Sequence, residues 1–103
     1  MNRIEVIENM LAENPSDCFL QYALALEIAK AGDIKLAIEK TERLLQNDPE
    51  YLGAYYQLGV WHEQLENFDK AITSYQSGIV LAKKVGNTKA ANELEQALWL
   101  IED

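Results

Sequence analysis

The chain has 103 residues, enough for one domain with its own core but too few for two. Its composition, 49% hydrophobic and 25% charged, is that of a globular protein and excludes a disordered tail. A formal net charge of −8 disfavours phosphate backbones and anionic membrane surfaces, so we expect neither nucleic acid nor a membrane as partner. The single cysteine, Cys18, cannot pair within the chain, and no signal-peptide pattern opens the sequence. We therefore expect a cytoplasmic protein.

Apolar residues recur at three- and four-residue spacing, which predicts helices throughout. The first helix covers about residues 2–13 and stops before Pro15, because the residue preceding a proline disfavours helix. The second covers about 17–31 and stops at Gly32, which suits a left-handed helix terminus. The third covers about 33–46 and is closed by an Asp-Pro pair.

Three further helices are predicted in the second half of the chain. The fourth covers about 50–65 and the fifth about 68–84, separated only by a short turn at 66–67. After a break at 86–87, the sixth covers about 88–101. Six short helices joined by tight turns form either a closed bundle or a stack of helical hairpins, and internal repetition distinguishes the two.

A shift of 34 residues aligns the two halves of the chain. The identical pairs are Tyr22 with Tyr56, Leu24 with Leu58, Ala37 with Ala71, and Ile38 with Ile72. These pairs fall where successive helical hairpins pack closely, so the repeat favours the stack of hairpins.

The repeated unit resembles the tetratricopeptide repeat, and residues 52–85 match its pattern best. The matching residues there are Tyr55, Leu58, Gly59, His62, Ala71, Tyr75 and Gly78. In residues 18–51 they are Leu24, Ala25, Gly32, Asp33, Ala37, Asp48 and Pro49. The resemblance implies an all-α, right-handed superhelix of about six antiparallel helices.

By this resemblance the chain divides into two full repeats with flanking helices. The divisions are 1–15, half of an incomplete repeat; 18–51, the first repeat; 52–85, the second; and 86–103, a terminal cap. Three positions depart from the pattern. Gln21 and Thr41 stand where bulky residues are usual, and Lys83 replaces a proline, so the fifth helix is expected to continue to Lys84.

The resemblance also implies a concave groove lined by the first helix of each repeat. The residues expected to face it are Phe19, Tyr22, Leu26, Lys30, Tyr56, Gln57, Val60 and Gln64. An apolar surface with polar edges suits an extended or helical segment, so we expect a non-enzymatic module that binds a protein or peptide. The alternative is a self-associating structural adaptor, that is, a homo-oligomer.

One subset of the family binds acidic chaperone tails through a clamp of lysine, asparagine and arginine in this groove. Here Tyr22 and Leu26 replace its first lysine and asparagine, and Gln57 replaces its second asparagine. We therefore do not expect that activity.

Candidates for chemistry are few. His62 has Glu66 one helical turn away, but the second histidine of the zincin motif is absent, and the repeat expects a packing aromatic at His62. Cys18 lies 44 positions from that histidine, too far in sequence to suggest a nucleophile and its base. We expect neither metal nor cofactor. Trp99 lies off the apolar stripe of the last helix, and either packs on the fifth helix or forms a second surface.

Overall fold

The computed structural model describes residues 2–102, which form α-helices and no β-strand. The helices are α1 (Arg3–Glu13), α2 (Cys18–Lys30), α3 (Ile34–Asn47), α4 (Leu52–Gln64), α5 (Phe68–Lys84) and α6 (Thr88–Ile101). The all-α prediction is confirmed, and the predicted ends lie within two residues of the observed ones. The fifth helix does continue to Lys84. None of these helices is long and apolar enough to cross a membrane.

Side-chain caps explain why several helices begin where they do. The capping oxygens accept backbone N–H groups over 2.9–3.1 Å, which satisfies donors that have no partner inside the helix. The capping residues are Asn2, Asp17, Asp33 and Asn87. Gly32 and Gly86, with φ of 103° and 77°, supply the left-handed backbone that ends α2 and α5.

The residues up to Pro49 form one compact unit, in which α2 packs against both α1 and α3. Its core includes Leu24, Ala25 and Ile28 from α2. From α3, Ala37, Ile38 and Leu44 are buried. Leu36 and Leu45 of the same helix are only half-buried, whereas Thr41 is fully buried.

The residues from Glu50 onward form a second compact unit, in which α5 packs against both α4 and α6. Ala71, Tyr75 and Ala82 of α5 form its core with Ala91 and Leu94 of α6. Small residues allow the helices to approach closely. A Cβ atom added at Gly78, for example, would lie 3.0 Å from both Leu94 Cδ1 and Tyr55 Cβ.

Candidate functional site

A cleft of about 350 Å³ lies in the second unit and is lined by three helices. From α4 come Tyr56, Val60, Glu63 and Gln64; from α5, Tyr75; and from α6, Glu93, Gln96, Ala97 and Leu100. Apolar side chains therefore lie beside amides and carboxylates in one concave surface.

Three of the predicted groove residues, Tyr56, Val60 and Gln64, line this cleft. Gln57 is half-buried and does not line it. The lining residues of α6 were missed, because the sequence indicated only a terminal cap there. The spacing of residues 93, 96, 97 and 100 places them on one helix face, but it does not indicate that this face lines a cleft.

A tyrosine holds one carboxylate of the cleft in place. The Tyr75 hydroxyl donates a hydrogen bond to Glu63 Oε2. The Tyr75 ring also packs against Tyr56, with ring centroids 5.9 Å apart and planes tilted by 57°. Burial, reinforced by the Glu63 hydrogen bond and charge, raises the pKa of Tyr75 well above its usual value. The phenol therefore stays neutral and remains a donor.

The charges at the cleft are all negative. Glu63 and Glu93 contribute carboxylates, and no lysine or arginine is among the residues that line it. Two lysines of this unit are engaged elsewhere: Lys83 Nζ lies 3.8 Å from Glu95, and Lys84 Nζ lies 3.9 Å from Glu50.

The groove residues predicted in the first unit all lie on α2. Phe19 is 68% exposed, whereas Tyr22 and Leu26 are half-buried. Lys30 is exposed, with its Nζ 3.7 Å from Glu27. These side chains form a partly apolar surface on α2.

A different cleft in the first unit has a volume of about 390 Å³. It is lined by Leu11, Ala12, Pro15, Gln21, Leu24, Lys40, Arg43, Leu44 and Asn47. None of the predicted groove residues lies in it.

Comparison with known proteins identifies the fold family. No protein-family model matches the chain. A curated TPR (tetratricopeptide repeat) repeat-containing protein from Pseudomonas aeruginosa is 28% identical over 91 residues, covering 88% of this chain and 87% of the relative. A tetratricopeptide repeat domain protein from Salinibacter ruber is 40% identical with a TM-score of 0.82, covering 85% of this chain and 89% of that one. The chain belongs to the tetratricopeptide repeat family.

The TPR fold is also found at lower identity. The TPR2B domain of yeast Sti1, in its complex with pHsp70, is 18% identical with a TM-score of 0.86. That match covers 95% of this chain and 78% of the Sti1 chain. At this identity the likeness shows the fold alone.

Two other side chains with reactive groups, His62 and Cys18, do not line the cleft of this TPR chain. His62 is 4% exposed in the interior of α4, at the aromatic position of the repeat. A hydrogen bond with the Asp48 side chain, followed by burial, raises the pKa of the Cys18 thiol and keeps it protonated. Within residues 2–102 there is no cluster of three histidine, cysteine or acidic side chains that could hold a metal ion.

Proposed function

We propose that this TPR chain is a protein-interaction module that binds a segment of a partner protein in the α4–α5–α6 cleft. The observation that carries the proposal is the composition of the cleft. Tyr56, Val60 and Leu100 offer apolar contacts, while Gln64 and Gln96 offer hydrogen bonds. Tyrosine is among the residues that most often dominate the binding energy of a protein interface, and the surrounding apolar contacts exclude water.

Size and rigidity favour a segment over a folded domain. A cleft of about 350 Å³ accommodates a few side chains. Its walls are helices packed on a common core, so little conformational entropy is lost on binding. Leu100 is 74% exposed in the free protein, which leaves it available to a partner.

The family supports this class of activity. TPR proteins are generally non-enzymatic scaffolds for protein–protein interaction, and the Sti1 domain was solved in a complex with pHsp70. Because the clamp residues of the family's acidic-tail binders are replaced in this chain, we do not propose the same ligand for it.

The surface of α2 is proposed as a second contact region. Tyr22, Leu26 and Lys30 occupy, in the 18–51 repeat, the positions that Tyr56, Val60 and Gln64 occupy in the 52–85 repeat. Phe19 lies one turn before Tyr22 on the same helix and is 68% exposed. Alanine substitutions on the α2 surface test the contribution of that surface to binding separately from that of the cleft.

Selection from a random peptide library tests the proposal directly. Displayed 16-residue peptides are selected on the wild-type protein and then tested on a Tyr56→Ala, Leu100→Ala variant. The matched control is Val80→Ala, Val85→Ala, which shortens two exposed apolar side chains outside the cleft. We expect peptides that bind the wild type and the control but lose at least tenfold in affinity for the cleft variant. Peptides with the same affinity for the cleft variant and the control variant would contradict the proposal.

Self-association is a second candidate function, favoured by the exposure of Trp99. This side chain is 74% exposed and therefore does not pack on α5. The neighbouring Leu100 is also 74% exposed. Contiguous exposed apolar surface is typical of interfaces. Sedimentation from micromolar to millimolar concentration would show a rising mass for the wild type and a constant monomer mass for Trp99→Ala. A constant monomer mass for the wild type would exclude this candidate.

A further inference from the structure

We infer that the segment bound in the cleft is cationic, with a lysine or arginine within a few residues of an apolar anchor. The inference rests on the proposed function and adds to it the chemistry of the partner. It depends on where the charges of the second unit lie.

The cleft carries a carboxylate on each of two helices, Glu63 on α4 and Glu93 on α6. Both belong to the same lined surface as Val60, Ala97 and Leu100. A segment that places an apolar side chain in the cleft therefore brings its neighbouring residues to these carboxylates. Lysine or arginine at those places forms charge-assisted hydrogen bonds, whereas aspartate or glutamate is repelled.

Glu63 is preorganised for such a partner. Its Oε2 accepts the hydrogen bond from Tyr75, which restricts the side chain before any ligand arrives. Glu63 takes part in none of the ion pairs formed by the described residues. Because the orientation of the carboxylate is already fixed, little side-chain entropy is lost when it meets a cation.

Among the described residues, no lysine or arginine lines the cleft or forms an ion pair with its two carboxylates. Glu93 takes part in none of the ion pairs formed by the described residues. The lysines of the second unit are Lys70, Lys83, Lys84 and Lys89, and none of them lines the cleft. A cationic side chain of the partner therefore meets two carboxylates that no lysine or arginine of the described residues pairs with. The net charge of −8 also favours a basic partner, because it attracts a basic segment toward the protein at low ionic strength.

The test examines the composition of the selected peptides and their dependence on the two carboxylates. The variant is Glu63→Gln, Glu93→Gln; glutamine keeps an oxygen that can accept from Tyr75, so the cleft retains its shape. The matched control, Glu8→Gln, Glu42→Gln, removes the same charge from two exposed positions that line neither cleft. Circular dichroism verifies that both variants are helical.

We expect cleft-dependent binders to be enriched in lysine and arginine beside an apolar residue. Their affinity should fall about tenfold in the Glu63→Gln, Glu93→Gln variant and less than twofold in the control. A synthetic binder should also lose affinity as sodium chloride rises from 50 to 500 mM, whereas its version with glutamine at the cationic positions should bind weakly at all salt concentrations.

The failure of this inference is distinguishable from failure of the proposed function. Cleft-dependent binders without cationic enrichment, or with acidic enrichment, would overturn the inference and leave the proposed function standing. An equal loss in both charge variants would also overturn it, because long-range charge and not the cleft would then be responsible. If no selected peptide depends on Tyr56 and Leu100, the proposed function fails, and this inference fails with it.

Discussion

The ring of Tyr75 packs directly against the backbone of Gly59. A Cβ atom added at Gly59 would lie 2.1 Å from Tyr75 Cε1 and 2.5 Å from its Cζ, far inside van der Waals contact. Because Gly59 has no side chain, α5 packs close enough to α4 for Tyr75 to be fully buried between them. The Tyr75 hydroxyl in turn holds Glu63 at the cleft, so this contact connects the packing of the hairpin with the geometry of the candidate site.

Gly59→Ala should destabilise the protein by about 2 kcal/mol or more, because the methyl group overlaps the Tyr75 ring and the helices must move apart. The same change at Gly53, also on α4, meets no atom within 4 Å and should stabilise by about 0.5 kcal/mol through helix propensity. Urea unfolding of the two variants measures both effects. Equal effects at the two glycines would contradict the packing described.

Tyr75→Phe should weaken the fold at neutral pH by about 1–2 kcal/mol, because it removes the hydrogen bond to Glu63. The pKa of Tyr75 is raised in the folded state. Above about pH 10 the unfolded tyrosine therefore ionises while the folded one stays protonated, and the wild type loses stability that the phenylalanine variant does not lose. The difference between the two proteins should shrink from pH 7 to pH 11. A constant or growing difference in urea unfolding would contradict the assigned environment.

Thr41→Val should stabilise the protein by about 1 kcal/mol. Thr41 is fully buried, and its Oγ1 has no hydrogen-bond partner among the described residues, so the hydroxyl is desolvated without compensation. Thr73 provides the control, because it is exposed and its hydroxyl donates to the Asp69 carbonyl over 3.1 Å. Thr73→Val should change the unfolding free energy by less than about 0.5 kcal/mol. A loss of stability in Thr41→Val would indicate a hydrogen bond at this hydroxyl.

The helices could be predicted well because their ends depend on local chemistry. Pro15 and Gly32 act through their own backbone geometry, and Asp33 and Asn87 cap the residues that follow them. Gly59 is one of the residues that match the repeat pattern, because close helix packing restricts residue size at fixed spacing.

The candidate site was predicted only in part, because it depends on how separate helices pack. Glu93 and Gln96 resemble ordinary solvated residues in the sequence, and their place in the cleft follows from the packing of α6 on α5. Gln57 was predicted to face the groove together with Tyr56. One position along an α-helix is a rotation of about 100°, so Gln57 points away from Tyr56 and does not line the cleft. The polarity of Thr41 gives no indication that this residue is buried, because its burial depends on the residues that pack around it.

Binding in the α4–α5–α6 cleft is tested by a ¹⁵N NMR titration of the protein with a library-selected peptide. Amide shifts should concentrate on α4 and α6, around Tyr56, Val60, Gln96 and Leu100, and disappear in the Tyr56→Ala, Leu100→Ala variant. Shifts centred on the Leu11–Lys40–Leu44 cleft of the first unit, or on Trp99 with the α4 residues unaffected, would contradict binding in the α4–α5–α6 cleft.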